Sequence, residues 1–584
     1  MFSFNKIPIV QRVITAIALY VALFGSAEAE TIFINDVTVF DSTGSAPYQA
    51  DVIVEDGRFS HIGPDLLVPE GAMVVEGDGA SLLPGLIDVH VHWTASRAQV
   101  STALLKHGIT TVTDFHSSPD SYAAKRQWHQ QLISPHVAYA ARIAPPGGHG
   151  ADWADERMTR LVASPEEARA VMTYLDNYQP DLIKVFADGW RYGNDKEDND
   201  ISLHALKEIT LQANKRGWPV VTHTVTVDGG KRAALGGVTA VVHAIQNEPA
   251  SDELPGLMVE HNLYYAPTLA VYEMRPDKIA RYSEAQIAAG KARQTYSEQN
   301  LKTFMAAGVH LALGTDSGIG NTPFGESSVH ELELMTDFGV PDKDAIIAGT
   351  RGSASVLGVS DDRGTIEVGK RADFVLVNGK PWEQVSDYRN IDSVYVDGKL
   401  VVKEGELVGI QGPDLPPAIP ATALIDDFER SDDKTQYGTL RKQDIDFSFP
   451  RSHVLMQSKA EKPGENKILD VSIELENKPK PKAGVIFPLS EGSFYPVDAT
   501  AFKGVAFDIN AKPGTYIVAL NSYGGKSSVT IDVPGGWQTR VLPFDSFRGD
   551  AQLDTGKLTS VSISVQGQGE ETYWIELDNV KFTR

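Results

Sequence analysis

The sequence predicts a mixed α/β protein: a (β/α)8 TIM barrel, a small composite β-sandwich made from both flanks of the barrel, and a C-terminal all-β jelly-roll domain. Three observations predict this architecture. Eight short apolar runs alternate with helical stretches over residues 81–363, as in a barrel. Turn-rich β segments at 30–80 and 364–408 flank that region. A Pro-rich linker, 409–423, then separates it from the all-β residues 424–584.

The first residues, 1–29, have the plan of a secretory signal peptide. Lys6 and Arg12 precede an apolar stretch from 13 to 25, and small residues suited to cleavage follow it. The stretch is shorter than the run of about 20 residues that a membrane-spanning helix needs. We expect a mature protein that begins near Glu30, is periplasmic or secreted, and has no stable membrane insertion. An uncleaved N-terminal anchor is the alternative.

The segments before and after the barrel both predict short strands joined by tight turns. Before it, TIFINDVTVFD and DVIVEDGRFSHIG contain alternating apolar residues and a turn at Asp56-Gly57. After the barrel, residues 371–379 and 392–405 show the same pattern of alternating apolar residues and turns. Two small β segments that flank a barrel predict one sandwich domain assembled from both.

All eight barrel strands are identifiable as apolar runs. They are 82–92, 109–115, 136–143, 182–186, 219–223, 240–243, 263–269 and 310–316. Helical sequence lies between them; the segment 165–178, for example, has Ser164 as its N-cap and Glu167 three residues on. The stretch 270–303 is polar and mostly helical, and whether it forms a lid over the mouth is left open.

Composition and charge restrict the functions open to the chain. Its 584 residues are 42% hydrophobic, enough for several domains with substantial cores. The net charge of −24 argues against binding nucleic acid or anionic lipid, because both need a basic face on the protein. The simplest interpretation of this charge is that it keeps the protein in solution. With no cysteine, any metal must be held by nitrogen and oxygen donors. Assembly into a homo-oligomer is left open.

Six potential metal ligands lie at the C-terminal ends of predicted strands. They are His90, His92, Lys184, His223, His243 and Asp316. Strand C-termini converge on one mouth of a barrel, where such enzymes do their chemistry. Imidazoles and carboxylates at that mouth are what two neighbouring divalent metals need. Each residue alone has an ordinary structural explanation, so it is their joint placement that predicts a site.

The sequences around these residues resemble the motifs of the amidohydrolase superfamily. PGLIDVHVH resembles its first-strand HxH signature, DLIKVFADG its fourth-strand lysine, VVTH and VVHA its fifth- and sixth-strand histidines, and LGTD its eighth-strand aspartate. GTIEVGKRADFVLV is similar to the family's return to its β-sandwich. The resemblance extends from residue 30 to about 408. Within the superfamily the chain looks most similar to imidazolonepropionase-like dipeptidases.

The resemblance implies a hydrolase with two divalent metal ions. His90 and His92, on the same side of a strand, would share one metal, and His223 and His243 would hold the second. The resemblance also implies that Lys184 reacts with CO₂ to give a carbamate whose oxygens bridge the metals. Its apolar sequence neighbours favour the neutral amine by desolvation. Zinc is the default metal for such ligands, and manganese or cobalt fit the same set.

Catalysis is expected to depend on Asp316 and Lys184. Bound metals make hydroxide available near neutral pH, and Asp316 would take its proton and deliver it to the leaving nitrogen. The expected reaction is hydrolysis of C–N bonds in small substrates such as dipeptides or N-acyl amino acids. The alternatives are the same site acting on a lactone, cyclic amide, ester or phosphotriester, and a glycan- or partner-binding protein with an inactive barrel.

His149, Tyr265 and His330 are candidate substrate-binding residues. His149 lies in PPGGHG, and members of the family with a similar GGH loop use it at the substrate pocket; a role in stabilising the turn is the alternative. Tyr265 belongs to the seventh strand, where packing is the alternative, and His330 in HELELM is predicted on a helix face. A basic residue at the mouth favours a substrate carboxylate, and Arg142 and Arg191 are the candidates.

Beyond the linker, the sequence resembles the jelly-roll domain of complex-I-intermediate-associated proteins, itself similar to some carbohydrate-binding modules. The matching segments are IDDFE, GVAFDI, WQTRVLPFDSF and ELDNVKF. Related sandwiches often hold a structural calcium, here implicating Asp427, Glu429 and Asp578, although acids at strand ends are commonplace. Trp537 and Trp574 are candidates to stack on sugar, with buried tryptophans as the alternative. The resemblance leaves contact with a glycan or a protein open to this domain.

Overall fold

The computed structural model of the chain describes residues 31–151, 158–189, 199–320, 322–446, 451–460, 466–549 and 552–584. The predicted signal peptide, residues 1–29, and Arg191 lie outside these residues. Within them, one curled parallel sheet and three further sheets make up the β structure. No helix in this part of the chain combines the length and the apolarity that crossing a membrane requires.

Both flanks of the barrel contribute strands to one nine-stranded sheet. The strands are Ile32–Val39, Tyr48–Glu55, Arg58–Gly63, Met73–Glu76 and Ser81–Pro84, followed after the barrel by Phe374–Val377, Ile391–Val396, Lys399–Lys403 and Glu406–Leu407. The two flanks meet where Ser81–Pro84 pairs antiparallel with Phe374–Val377. Buried side chains from both flanks, including Ile34, Val52 and Phe374, share one core. The composite unit is therefore a single sheet built from the two predicted β segments.

The predicted first barrel strand, 82–92, is divided between two sheets in the structure. It breaks at Gly85: Ser81–Pro84 joins the flanking sheet and Leu86–Val91 begins the barrel. A Cβ atom on Gly85 would lie 2.3 Å from the Thr110 side chain, so only glycine fits at this crossing. Hydrophobic periodicity does not reveal the break, because the residues on both sides of it are buried.

The barrel consists of eight parallel strands that neighbour one another in chain order. They are Leu86–Val91, Ile109–Asp114, His136–Ala144, Leu182–Phe186, Val220–His223, Ala240–Val242, Tyr264–Ala266 and His310–Leu311, and Thr159–Leu161 adds a short strand beside the third. Closure occurs beyond the short eighth strand, where Val89 N–H donates to the Leu313 carbonyl at 2.9 Å and Asp316 N–H donates to the His90 carbonyl at 2.8 Å. The predicted fold class is confirmed.

Helices lie between and after the barrel strands. They are Arg97–Lys106, Tyr122–His129, Pro165–Leu175, Leu203–Asn214, Val227–Gly236, Glu253–Glu260, Leu269–Tyr272, Pro276–Ile279, Glu284–Ala307, Glu326–Asp337, Asp342–Ile347 and Ser353–Val356, with a π-helical turn at Ala348–Gly352. The predicted capping box of Ser164 and Glu167 is present. Leu301 and Phe304, near the end of the helix that begins in the stretch 270–303, are buried in the barrel core. That end is therefore an ordinary barrel helix.

The C-terminal region is all-β, as predicted, and consists of two sheets. One contains Leu424–Asp426, His453–Ala460, Lys467–Leu475, Gly504–Ala511, Gln538–Pro543 and Glu571–Thr583; the other contains Ile419–Pro420, Lys442–Gln443, Lys482–Pro488, Val497–Asp498, Gly514–Ser522, Gly525–Val533, Arg548–Gly549 and Leu558–Gln566. Apolar side chains from both sheets, such as Val471, Phe507 and Ile563, share one buried core. The jelly-roll likeness of this region stays a prediction.

The C-terminal region packs against the helix Tyr122–His129 of the barrel. Phe494 is buried in contact with Trp128, and Lys442 Nζ forms an ion pair with Asp120 Oδ2 at 3.1 Å. An aromatic anchor beside an ion pair fixes the relative position of the two surfaces.

Candidate metal centre

A cavity of about 200 Å³ opens at the C-terminal end of the barrel strands. It contains all six residues predicted to hold metal, together with five others. Its lining is His90, His92, Phe115, Arg142, His149, Lys184, Phe186, His223, His243, Asp316 and Ile319. Residues up to 226 positions apart in the chain, His90 and Asp316, thus meet because every strand ends at the same mouth.

His90, His92 and Asp316 form one half of the centre. Asp316 Oδ1 lies 3.1 Å from His90 Nε2 and 3.0 Å from His92 Nε2, and a ligand atom from each of the three lies within 4.8 Å of the other two. Burial, followed by the nearby Lys184, lowers the pKa of His90 to about 3, so the ring is neutral. Burial alone would raise the pKa of Asp316, but the two histidines hold it well below its ordinary range. The neutral imidazole of His90 beside an ionised carboxylate fits a divalent cation.

His223 and His243 form the other half. Their ring centres are 4.3 Å apart, and that of His243 is 4.7 Å from that of His90. Burial lowers the pKa of both rings well below the ordinary value, so both are neutral. His243 Nδ1 lies 2.9 Å from Thr268 Oγ1. A hydrogen bond at one ring nitrogen orients the ring and leaves the other nitrogen for a metal.

Lys184 is buried between the two halves and beside aromatic rings. Its Nζ lies 3.5 Å from His90 Nε2, 4.7 Å from the centre of the Phe115 ring and 5.7 Å from that of Phe186. Burial lowers the pKa of Lys184 to about 7. The neutral amine is therefore well populated at neutral pH, and only that form can react with CO₂.

Three residues at the mouth hold left-handed backbone conformations. The φ angles are 89° for His243, 50° for Thr268 and 60° for Asp316. Such conformations cost about 1–3 kcal/mol each for residues other than glycine, and they concentrate at functional sites. Sequence patterns give no sign of them, because each follows from how the strand end is held by its neighbours.

Asp88 links the first strand to the loop that carries Asp316. Its Oδ1 accepts a hydrogen bond from His90 N–H at 3.0 Å, and its Oδ2 accepts hydrogen bonds from Thr315 at 2.7 Å and Ser328 at 2.8 Å. Asp88 is not among the residues predicted from the sequence. The available signal was its spacing. Asp88, His90 and His92 are successively two residues apart, so their side chains lie on the same side of the strand.

Glu331 is a second supporting carboxylate that the sequence analysis missed. It is fully buried, burial raises its pKa to about 8, and its two oxygens accept the N–H groups of Leu269 and Ala270, both at 2.7 Å. These two residues directly follow Thr268, which contacts His243. Glu331 therefore positions a metal-site histidine through the backbone.

We expect Glu331→Gln to weaken metal binding about 10- to 100-fold, the usual effect of losing an outer support of a ligand. The amide NH₂ group would face one of the two backbone N–H groups that the carboxyl now accepts, and the segment carrying Thr268 would shift. Competition with a chelator measures the affinity. His330→Gln is the matched control on the same helix, and equal affinities in the two variants would contradict the positioning role.

His149 lies in the cavity, as predicted. Its ring centre is 4.3 Å from that of His223 and 5.3 Å from that of Phe186. Gly147 and Gly150, on either side of it, have φ angles of 65° and 83°, which glycine adopts without strain. The GGH loop thereby turns the imidazole back over the strand ends.

Tyr265 and His330 do not line the cavity, and the structure corrects their predicted position. Tyr265 packs edge-on against Phe304, and its hydroxyl accepts the N–H of Ile245 at 3.0 Å. Its side chain leaves the strand on the face that meets the helices, so the packing alternative holds. His330 Nε2 instead pairs with Glu273 at 3.0 Å. Both side chains are thus committed to contacts outside the cavity lining.

The proposed calcium ligands of the C-terminal region do not come together. Each accepts a hydrogen bond from a neighbour: Asp427 from Gln436 at 3.2 Å, Glu429 from Lys467 N–H at 2.6 Å and Asp578 from Asn466 at 2.8 Å. No cluster of potential ligand atoms found within the described residues includes any of the three. These acids are instead hydrogen-bonded to neighbouring residues, so the expectation of a calcium site is not supported.

Neutral imidazoles, a carboxylate and a buried lysine at the mouth of a parallel barrel define a class of metal-binding barrel enzymes. The chain belongs to the amidohydrolase family, whose family model matches residues 81–401, more than half of its length. Members of this family generally bind a divalent metal.

Curated relatives and solved structures agree with this assignment. The chain is 22% identical to an adenine deaminase of Clostridium perfringens over 384 residues, which is 63% of this chain but only 58% of that protein. It is 24% identical to the imidazolonepropionase of Deinococcus radiodurans over 62% of this chain and 92% of that protein. The crystal structure of a Xaa-Pro dipeptidase with bound methionine shares the fold, with a TM-score of 0.56 at 23% identity over 64% of this chain and 99% of that one.

Proposed function

We propose that the protein is an exported, metal-dependent amidohydrolase that cleaves the C–N bond of dipeptides or N-acyl amino acids. The observation that carries this proposal is the presence of Arg142 in the same cavity as the six potential metal ligands. A guanidinium there suits a substrate with a free carboxylate beside its scissile amide. The pattern of residues 1–29 supports export.

The metals would be held by two sets of ligands. His90, His92 and Asp316 suit one ion and His223 with His243 the other, with Lys184 between them as a bridging carbamate. When bound, the metal pair would lower the pKa of water towards neutrality and polarise the scissile carbonyl. Zinc is the expected metal because the donors are imidazole nitrogens and carboxylate oxygens.

The remaining chemistry falls to side chains of the chain itself. Asp316, ionised in its setting beside two histidines, accepts the proton of the attacking water and returns it to the leaving nitrogen. Phe115 and Phe186 give the cavity apolar walls beside Lys184. Such walls exclude bulk water, and electrostatic interactions inside them become stronger.

The size of the cavity and the position of Arg142 set the class of substrate. A volume of about 200 Å³ is below the 300–1,000 Å³ that is typical of pockets for drug-sized ligands. Arg142 is buried on the third strand, and its Nε donates to the Met158 carbonyl at 3.3 Å, so the guanidinium is held in place. A fixed cation in a small cavity favours a short substrate that ends in a carboxylate.

A hydrolysis panel with the zinc-loaded protein tests the proposal. The panel contains dipeptides, N-acyl amino acids, lactones, phosphotriesters and adenine, the last because relatives bear the name adenine deaminase. Release of free amino acids supports the proposal. Turnover confined to lactones or phosphotriesters would reassign the same site to another substrate, and ammonia released from adenine would reassign it to deamination.

We expect Arg142→Met to lower kcat/KM on a dipeptide at least about 100-fold, mainly through KM, because a buried charge pair with the substrate carboxylate is lost. The same dipeptide with an amidated C-terminus should be hydrolysed equally by both proteins. Steady-state kinetics on the two substrates gives the comparison. Arg160→Met, outside the cavity lining, serves as the matched control, and an equal loss on the amidated dipeptide would refute the assignment.

A further inference from the structure

The second barrel strand ends in a carboxylate that supports the surroundings of two metal-site histidines. Asp114 is fully buried, and its Oδ1 accepts the N–H of Trp93, the residue after His92, at 3.2 Å. Phe115, the residue after Asp114, packs edge-on against His90 with the ring centres 4.4 Å apart. A shift of Asp114 would therefore displace the immediate neighbours of both histidines.

Two basic side chains hold Asp114 from the side away from the cavity lining. Arg97 Nη2 lies 3.6 Å from Asp114 Oδ2. Lys125 Nζ donates to Ser117 Oγ at 2.6 Å, and the same hydroxyl donates to Asp114 Oδ2. Burial alone would raise the pKa of Asp114, but Arg97 and then Lys125 bring it below its ordinary value. Asp114 is therefore ionised, and its position depends on these two cations.

The C-terminal region covers both cations with one aromatic ring. The centre of the Phe494 ring lies 5.8 Å from Arg97 Cζ and 6.0 Å from Lys125 Nζ, and Phe494 is 7% exposed. Cations near the face of an aromatic ring are attracted to it. A ring in this position also excludes water, and the attraction of the two cations to Asp114 is stronger where water is excluded.

The loop that carries Phe494 is docked on the barrel by contacts on both sides of that residue. A Cβ atom on Gly492 would lie 2.3 Å from Ser121 Cβ, so the loop approaches the barrel as closely as glycine allows. On the other side, the Tyr495 hydroxyl donates to Gln127 Oε1 at 3.2 Å. These contacts fix the loop, so the Phe494 ring is held over the two cations.

We propose that the C-terminal region positions the metal centre of the barrel through Phe494. The ring keeps water away from Arg97 and Lys125, these cations hold Asp114, and Asp114 holds the backbone beside the histidines of the first half of the centre. The inference rests on the proposed function only in that a metal is bound at the centre. It goes beyond that function because it gives the C-terminal region a part in metal binding.

Titration of the metal-free full chain with Zn²⁺, in competition with a chromogenic chelator, tests this proposal. Phe494→Ala should weaken at least one zinc-binding step about tenfold or more, the usual effect of losing an outer support of a ligand. Phe494→Leu keeps an apolar cover over the cations and should bind zinc more tightly than Phe494→Ala.

Phe502→Ala is the matched control, because it makes the same change inside the C-terminal region. Phe502 is 8% exposed and packs in the core of that region, with its ring centre 5.5 Å from that of Phe582. Its replacement should lower the melting temperature and leave the zinc affinity unchanged. A purely structural role of Phe494 would give the same result as Phe502→Ala.

A double-mutant cycle tests the route from Phe494 to the centre. Arg97→Met should also weaken zinc binding about tenfold or more. If Phe494 acts through Arg97, the loss of affinity in Phe494→Ala/Arg97→Met should be smaller than the product of the two single losses, because contacting residues in one network are not additive.

Equal zinc affinities in the parent and Phe494→Ala would overturn this inference alone, and so would single losses that multiply in the double variant. A parent that binds no zinc would overturn the proposed function together with it. Circular dichroism shows whether each variant is folded. If Phe494→Ala does not fold, Arg97→Met decides: an affinity like that of the parent overturns the inference, and a tenfold loss supports it.

Discussion

Replacing Lys184 by alanine is expected to abolish hydrolysis, lowering kcat/KM by about 10⁴-fold or more, equivalent to about 5.5 kcal/mol of transition-state stabilisation. The reason is that both halves of the centre meet at this side chain, whose Nζ lies 3.5 Å from His90 Nε2. Without it, the two sets of histidines lack the anionic bridge that the proposed carbamate would supply. The measurements are kcat/KM on the best dipeptide and bound metal per chain by mass spectrometry.

The same variant offers a test by rescue. Lys184→Ala leaves space beside Phe115 and Phe186 for a short carboxylic acid, so propionate should restore part of the activity. Lys184→Gln, which keeps that space filled, should show no rescue. Because burial lowers the pKa of Lys184 to about 7, the neutral fraction rises with pH, and the metal-free parent should be carbamylated faster above that pH than below it when the concentration of dissolved CO₂ is held constant. Full activity of Lys184→Ala without additive would refute the bridging role.

Asp316→Asn is expected to have the second largest effect, a loss of about 10³-fold in kcat with KM little changed. Positioned proton transfer contributes about 10²- to 10⁴-fold, and an amide cannot accept the proton. Substrate binding should survive because Arg142 is untouched. The measurement is steady-state kinetics at saturating zinc, with bound metal determined on the same samples.

Asp188→Asn is the control for Asp316→Asn. Asp188 is also a buried carboxylate near the strand ends, but it accepts hydrogen bonds from Val225 N–H at 2.8 Å and from Thr224 and lies outside the cavity lining. Its replacement should lower the melting temperature and leave kcat nearly unchanged. Equal losses of kcat in the two variants would show that Asp316 acts through stability rather than through proton transfer.

The positions of the potential metal ligands could be predicted from the sequence because, in a barrel, the order of the strands along the chain determines where their C-terminal ends lie. Any polar residue near the C-terminal end of a buried parallel strand lies at the mouth of the barrel. The positions of His90, Lys184 and His243 could therefore be predicted without tertiary information. Tyr265 shows the limit of this reasoning. It belongs to a similar strand end, but alternation of side chains turns it towards Phe304 and the helices.

The residues that support the ligands were missed for a different reason. Glu331 acts on backbone N–H groups of a segment more than 60 residues away in the chain, and a side-chain-to-backbone contact of that range leaves no pattern in a single sequence. The neighbouring His330 was predicted as a site residue instead, because histidine is more familiar at catalytic and binding sites. The division at Gly85 was missed because both adjoining strands are fully buried.

The left-handed conformations of His243, Thr268 and Asp316 limit how far the stability of this protein can be increased. Glycine adopts such angles freely, so exchanging any of the three for glycine removes local strain, yet it also removes the imidazole, the hydroxyl or the carboxylate on which turnover is proposed to depend. Thermal tolerance and catalytic rate are therefore opposed at the mouth of the barrel. Gains in durability must come from positions elsewhere, where selection for stability and selection for speed do not compete.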